Sequence, residues 1–231
     1  MRSATRVTVA SFGTLAGLAG IEHGIGEILQ GNRAPAGLVI QSWPDAEFFR
    51  ILNGEPALTI VPNLRLTGIL AIGVSLLFLV WTTVFVQRKY GGVVLMLLSL
   101  ILLLVGGGFG PPLLGVILGL VATRINAPLA RAHTVLSPDL LRWLSALWPW
   151  SLTAGVMAWL FLMPGSLLIH AFVGMTNPDW MVTIAMLAAF SLLFTTIVTG
   201  FARDLQRQTG ALHVRPGSGQ GVGSEISSRS S

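Results

Sequence analysis

The chain has 231 residues, of which 53% are apolar and only 10% are charged, and its mean hydropathy is +0.76. A water-soluble domain usually carries about a quarter charged residues, so this composition argues against a soluble protein. The absence of cysteine excludes disulfides, thiolate metal sites and thiol nucleophiles. The net charge of +5 comes from short segments between apolar runs, which favours lipid over nucleic acid as the partner.

Six hydrophobic segments predict an all-α, polytopic transmembrane helical bundle. The clearest segment, residues 66–86, carries no charge for about 21 residues, the length that a helix needs to cross a hydrocarbon layer ~30 Å thick. The predicted segments are residues 7–30, 66–86, 91–108, 111–124, 144–169 and 181–201. They form a predicted transmembrane domain over residues 1–207. Residues 208–231 are rich in glycine and serine and are predicted to be a disordered cytoplasmic tail.

The first segment has two interpretations. Its basic start, short apolar stretch and small residues at positions 17–19 are compatible with a cleaved signal peptide. Its helical pattern continues beyond that point, which favours a retained helix. Small residues at helical spacing let another helix approach closely in lipid, so one stripe of this segment predicts a packing face. The stripe consists of Gly13, Gly17, Gly20 and Gly24.

The long outer loop, residues 31–63, is predicted to contain a short helix on the membrane surface. Ser42, Pro44 and Asp45 are typical of a helix start. Trp43 is expected at the depth of the lipid headgroups. The apolar face of this helix would consist of Phe48, Ile51 and Leu52.

Residues 91–125 are too long for one crossing, because a single helix would measure about 50 Å. Glycines weaken a helix and paired prolines suit the first turn of a new one, so we predict a helical hairpin. Its turn consists of Gly106, Gly107, Gly108, Gly110, Pro111 and Pro112. Gly115 and Gly119 give the return arm a packing stripe. This arm is short, so it is either re-entrant or fully spanning. A functional alternative for the turn is ion binding by unwound glycine backbone.

Basic residues predict the orientation. With a cytoplasmic N-terminus, the inner segments hold eleven of them: Arg2, Arg6, Arg88, Lys89, Arg124, Arg131, Arg142, Arg203, Arg207, Arg215 and Arg229. The outer segments hold Arg33, Arg50 and Arg65 beside the acidic residues Asp45, Glu47, Glu55 and Asp179. This bias predicts a multi-pass protein of the cell (inner) membrane with both termini in the cytoplasm.

Ionisable residues near the outer end of the first segment form the candidate polar site. Glu22, His23 and Glu27 lie within the segment, and His170 is expected at a comparable depth. Residues four apart share a helix face, so His23 and Glu27 should meet while Glu22 points elsewhere. Three interpretations remain open: interfacial or structural groups, a proton or solute site, and a metal site. The sequence specifies no cofactor and leaves the identity of any metal open.

Three stretches resemble uncharacterised prokaryotic multi-pass membrane proteins. They are GIEHGIGEILQGN at residues 20–32, IQSWPDAEFFRILNGEPALTIVPN at residues 40–63, and LLVGGGFGPPLLGVILG at residues 103–119. The resemblance implies a multi-pass membrane fold and no particular activity, and it assigns no catalytic residue.

Two functional classes follow from these patterns. We slightly favour a small-solute, ion or proton-linked transporter or channel component that uses the acidic end of the first segment. The alternative is a structural or assembly subunit, a homo- or hetero-oligomer whose glycine faces hold partner helices. A membrane-embedded metal-dependent enzyme ranks third. No serine lies in a nucleophile elbow, so we do not expect an ordinary hydrolase.

Overall fold

A computed structural model describes residues 3–44, 46, 49, 54–125, 137–162, 172 and 179–213. Within these ranges six helices surround one small antiparallel sheet of two strands. The elements are α1 (Ala4–Leu29), β1 (Val39–Gln41), β2 (Pro56–Leu58), α2 (Leu64–Val80), α3 (Gly91–Leu104), α4 (Gly110–Ala122), α5 (Pro138–Leu160) and α6 (Asp179–His213). A π-helical turn, Trp81–Phe85, continues α2. The protein is therefore all-helical in class.

Three of the described helices are long and apolar enough to cross a membrane: Ala4–Leu29, Leu64–Phe85 and Thr183–Thr209. The two helices of the hairpin, α3 and α4, have 14 and 13 residues. At 1.5 Å per residue each measures about 20 Å, which is shorter than a hydrocarbon core of ~30 Å. The six-span bundle that the hydropathy pattern predicts is therefore not confirmed.

Helix boundaries differ from the predicted ones at α5 and α6. α5 begins at Pro138 rather than at residue 144, because the Ser137 side chain caps it by accepting a hydrogen bond from the Leu140 N–H. α6 continues to His213, so the predicted tail is helical at its start. Residues 163–169 of the fifth predicted segment and residues 214–231 of the predicted tail lie outside the described residues.

The glycine stripe of α1 packs against α2 of the same chain. The two helices run antiparallel, with Gly13 against Thr82 and Gly24 against Gly68. A Cβ atom at Gly24 would lie 2.7 Å from the Gly68 carbonyl oxygen, so the two backbones touch at this crossing. Gly17 and Gly20 contact α2 between these two points. This stripe is thus covered within the chain rather than by a partner helix.

The helices α3 and α4 form an antiparallel hairpin. Gly119 contacts Met96 and the Gly92 carbonyl group, and Gly115 lies against Ser99 and Phe78. Small residues let the two helices approach closely in an apolar environment. The second glycine stripe therefore also packs within the chain, and the segment between Leu104 and Gly110 forms the hairpin turn.

α5 and α6 pack antiparallel to one another and cover the start of α1. Ser151 and Thr199 share a hydrogen bond between their hydroxyl groups (2.9 Å), and the Trp148 indole N–H donates to the Thr8 hydroxyl group (3.1 Å). Phe12 of α1 is fully buried and lies against Gly155. α1 is thus the central helix, since α2, α4, α5 and α6 all contact it.

Charged residues separate to the two ends of the helices. The basic end is the one that holds the N-terminus of α1 and the C-terminal half of α6. The described basic residues there are Arg6, Arg88, Lys89, Arg124, Arg142, Arg203 and Arg207. The acidic end holds the C-terminus of α1, the small sheet and the hairpin turn. It contains Glu22, Glu27 and Glu55, together with Arg33 and Arg65.

Asp204 holds the first turn of α1 at the basic end. Its carboxylate oxygens accept hydrogen bonds from the backbone N–H groups of Ala4 (2.7 Å) and Thr5 (2.9 Å), which a helix leaves unpaired. We expect Asp204→Ala to lower the free energy of unfolding by about 1 kcal/mol, as loss of a helix cap does. Thermal unfolding in detergent micelles measures it. Asp139→Ala, an exposed acid at the start of α5, is the control; an equal loss there would contradict the assignment.

Candidate functional site

The last two turns of α1 present three ionisable side chains toward the interior of the acidic end. His23 is 6% exposed and Glu27 is 0% exposed, while the Glu22 side chain is one-quarter exposed. Residues 23 and 27 lie on one helix face because they are four apart. Both side chains are therefore buried within the chain, on one face of α1.

The small sheet brings a fourth ionisable group, Glu55, onto α1. β1 and β2 pair in the register Ile40 to Ala57, and the ladder continues with the Ser42 N–H donating to the Glu55 carbonyl oxygen (3.1 Å). The Gln30 amide of α1 donates to the carbonyl oxygens of Gln41 and Ser42, both at 3.0 Å. These bonds fix the sheet over the end of α1 and place Ser42 and Glu55 beside its polar face.

The hairpin turn closes the site from the other side. The turn adds to the sheet edge, since the Gly106 N–H donates to the Leu58 carbonyl oxygen (2.9 Å). Gly106 and Gly108 have φ angles of 90° and 75°, which side chains rarely allow. A Cβ atom at Gly106 would overlap the Glu27 carboxylate, and one at Gly108 would overlap the His23 imidazole. Glycine at these positions therefore lets the backbone lie directly against the ionisable groups.

His23 lies between two carboxylates. Its Nδ1 atom is 3.1 Å from Glu22 Oε2, and its Nε2 atom is 3.5 Å from Glu55 Oε2. One potential ligand atom from each of these three residues lies within 4.8 Å of the others, so the three could hold a metal ion. Glu27 lies next to this group, and its Oε1 atom accepts a long hydrogen bond from the Ser42 hydroxyl group (3.4 Å).

Buried carboxylate oxygens without a hydrogen bond are the most unusual feature of the site. Four such atoms occur here: Glu22 Oε1, Glu22 Oε2, Glu27 Oε2 and Glu55 Oε2. Among the described residues, no lysine or arginine forms an ion pair with any of these carboxylates. Three carboxyl groups thus face a single imidazole in a buried space, where an unpaired charge costs several kcal/mol. Such a surplus of acceptors suits a bound cation.

Glu55 has two further unusual features, one in its backbone conformation and one in the ionisation of its side chain. Its backbone has a φ angle of 51°, which is uncommon for a residue other than glycine or asparagine. Burial raises the pKa of its carboxyl group above the ordinary value, the His23 ring opposes that shift, and the neighbouring Glu22 carboxyl group adds to it. Strained backbone and perturbed ionisation often occur together at functional sites.

The structure changes the membership of the site that the sequence predicts. His23 and Glu27 lie side by side as predicted, but Glu22, which was predicted to point elsewhere, contacts His23. His170 lies outside the described residues. Glu55 was missed as a site residue, and the only sequence signal for it is an acid between the Asn53-Gly54 turn and the short apolar strand β2.

The outer loop also differs from its prediction. The loop contains the paired strands β1 and β2, which the sequence analysis did not predict, and most of the predicted surface helix lies outside the described residues. Trp43 stacks on Phe49, with ring centroids 5.0 Å apart, and packs against Gly26 of α1. Because Gly26 has no side chain, the Trp43 indole can pack directly against the backbone of α1.

No family model, no curated protein and no solved structure matches the chain, so its function is inferred from the geometry of the site.

Proposed function

We propose that the protein is a multi-pass integral membrane protein that binds a cation at its acidic end and works as a component of ion transport. The three apolar helices Ala4–Leu29, Leu64–Phe85 and Thr183–Thr209 support the membrane location. In this proposal α5 and the α3–α4 hairpin complete the bundle in the lipid. The basic end lies in the cytoplasm of the cell membrane, because cytoplasmic segments carry an excess of Lys and Arg.

One observation carries the cation-binding part of the proposal. Four carboxylate oxygens of Glu22, Glu27 and Glu55 are buried without a hydrogen bond, around an imidazole. Buried charges in proteins are paired or coordinate metals. Within the described ranges no lysine or arginine pairs with these acids, so three carboxyl groups share one histidine. A cation is the partner that would offset the cost of burying them.

The interface between α1 and α2 supports a transport role. From the site toward the basic end, α2 turns three fully buried hydroxyl residues toward α1: Thr67, Ser75 and Thr82. Thr67 lies beside Gly106 and Glu27, and the Ser75 hydroxyl group is buried without a hydrogen-bond partner next to Gly20. Polar residues inside a membrane helix bundle often mark ion pathways. In this proposal the hydroxyl row gives the ion polar contacts below the binding site.

The alternative role as an assembly subunit loses its main structural support. That role requires the glycine stripes of α1 and α4 to be free for partner helices. Both stripes are covered by the chain's own helices, with Gly24 against Gly68 and Gly119 against Met96. A partner would have to bind a different surface of the protein.

Uptake by proteoliposomes tests the transport proposal. Vesicles that contain the purified protein and an entrapped fluorescent indicator should take up at least one of the ions Mn²⁺ and Ca²⁺, assayed separately, faster than protein-free vesicles. Glu55→Gln should reduce this uptake to the protein-free rate, because it removes one of the buried negative charges that bind the ion. Without added cation the same variant should be about as stable as wild type, because burial raises the pKa of the Glu55 carboxyl group and so favours its uncharged form, which glutamine replaces with another uncharged group.

Asp139→Asn is the matched control, because it makes the same chemical change at an exposed acid of the basic end. It should leave uptake unchanged. Equal uptake by wild-type and Glu55→Gln vesicles, or wild-type uptake no faster than that of protein-free vesicles, would refute the transport role. A Glu55→Gln variant that is less stable than wild type would show that Glu55 serves the fold instead.

A further inference from the structure

We propose that the cation is a divalent transition metal such as Mn²⁺, Fe²⁺, Co²⁺ or Zn²⁺, held by His23, Glu22 and Glu55. This inference rests on the proposed cation site and specifies its ligand. The chemistry of the donor set is the first argument. Calcium and magnesium take oxygen ligands, whereas a neutral imidazole suits transition metals. A histidine at the centre of the cluster therefore selects against the alkaline-earth ions.

The geometry of the three side chains fits one such ion. Their ligand atoms lie within 4.8 Å of one another. Bonds of about 2.0–2.2 Å from nitrogen and carboxylate oxygen place neighbouring ligands of one tetrahedral ion about 3.4 Å apart. Side-chain rotations that bring the three ligand atoms closer together would therefore accompany metal binding. Three protein ligands leave coordination positions open, so an ion held here could still exchange its other ligands.

The surroundings of His23 leave one of its nitrogens available for a metal. Its Nδ1 atom lies 3.0 Å from the Ala19 carbonyl oxygen. A carbonyl oxygen only accepts, so Nδ1 carries a proton, and Nε2 is the ring nitrogen that a metal ion can bind after displacing any proton there. Nε2 faces Glu55 Oε2 at 3.5 Å. Metal-binding histidines commonly donate their other N–H to a carbonyl or carboxylate group in this way, which fixes the tautomer and the orientation of the ring.

Two buried carboxyl groups each have an oxygen without a hydrogen-bond partner, which agrees with a metal ion bound beside them. Glu55 is 7% exposed and Glu27 is 0% exposed, yet one oxygen of each accepts no hydrogen bond. The Glu27 carboxylate lies against Gly106 and adds negative charge beside the three ligands. Gly108 leaves the space next to His23 Nε2 free of a side chain. The site therefore has a carboxylate near each ring nitrogen of His23, a further negative charge from Glu27, and space for an ion beside Nε2.

Metal titration of the untagged, detergent-solubilised protein tests this inference. We expect one Co²⁺ or Zn²⁺ ion to bind per chain, measured by calorimetry and, for Co²⁺, by visible absorption. A thousandfold excess of Ca²⁺ or Mg²⁺ should not displace it. His23→Gln should weaken Co²⁺ binding at least about tenfold. Joint replacement of His133 and His213 by Gln should leave binding unchanged, because His213 ends α6 at the basic end and the sequence predicts His133 in a loop at that same end.

Pulsed electron paramagnetic resonance of the wild-type protein with one equivalent of Cu²⁺ gives a second test that needs no folded His23 variant. It should show modulation from an imidazole nitrogen, and that signal should persist in His170→Gln. If Ca²⁺ displaces Co²⁺ at equal concentration, or the imidazole signal is absent, the transition-metal assignment is wrong while the cation site stands. If no divalent, sodium or potassium ion binds, the proposed cation site fails as well.

Discussion

Gly68→Ala should destabilise the protein by about 3 kcal/mol, although it adds a single methyl group. The two backbones are in contact where α1 crosses α2, and a Cβ atom at Gly68 would overlap the Gly24 carbonyl oxygen. Backbone cannot rotate away as a side chain can, so the helices must separate. Forced separation loses packing along the whole interface, and overpacking of this kind costs about 1–3 kcal/mol or more. Unfolding by SDS or heat in detergent micelles measures the loss.

Gly73→Ala provides the matched control on the same helix. No atom lies within 4 Å of the Cβ position at Gly73, so the added methyl group meets open space. Alanine is the better helix former by about 0.8–1.0 kcal/mol, so this variant should be as stable as wild type or slightly more stable. Equal destabilisation by both variants would mean that helix flexibility, rather than the crossing of α1 and α2, requires the glycines.

Gly108→Ala should weaken Co²⁺ binding at least about tenfold, the second large effect that the structure predicts. The φ angle of 75° at this position strains any residue other than glycine by about 1–2 kcal/mol. The added Cβ atom would overlap the His23 imidazole, so relief of the clash must move either the ring or the hairpin turn. Both movements separate His23 from Glu55. Metal titration of the variant measures the effect, with its melting temperature recorded alongside.

Gly110→Ala separates this specific effect from a general weakening of the turn. Gly110 begins α4 in the same segment, and nothing lies within 4 Å of its Cβ position. We expect Gly110→Ala to bind Co²⁺ with wild-type affinity. Wild-type affinity in Gly108→Ala would exclude His23 as a ligand, whereas parallel losses in both variants would show that the turn affects the site only through its stability.

Local sequence patterns predicted several elements of the acidic end. The i, i+4 spacing of His23 and Glu27 placed them on one face, and the glycines and prolines at 106–112 placed a turn between two helices. Both features depend on residues that are close in the chain, so they can be inferred directly from the sequence. The link between the two features was not predictable in this way. That Gly106 touches the Glu27 carboxylate depends on how α4 packs against α1, across about 80 residues of chain.

Glu55 is the site residue that the sequence analysis did not identify. In the sequence it is one of several acids in an outer loop, with no feature that separates it from Asp45 or Glu47. Its place in the site depends on the pairing of β1 with β2 and on the bonds from Gln30 that fix the sheet over α1. Strands of three residues are too short to carry a periodic signal.

Composition and hydropathy were sufficient to predict an apolar helical protein, because the length and polarity of each segment are local quantities. They predicted six membrane spans, whereas three of the described helices are long and apolar enough to cross a membrane. Which groups lie next to the buried charges could not be read from any single segment of the sequence. Glu22, His23 and Glu55 meet because a sheet, a helix end and a glycine turn converge. The close packing of α1 against α2 at Gly24 and Gly68 contributes to that convergence. The chemistry of the site therefore follows from contacts between segments, and the fold class follows from the segments alone.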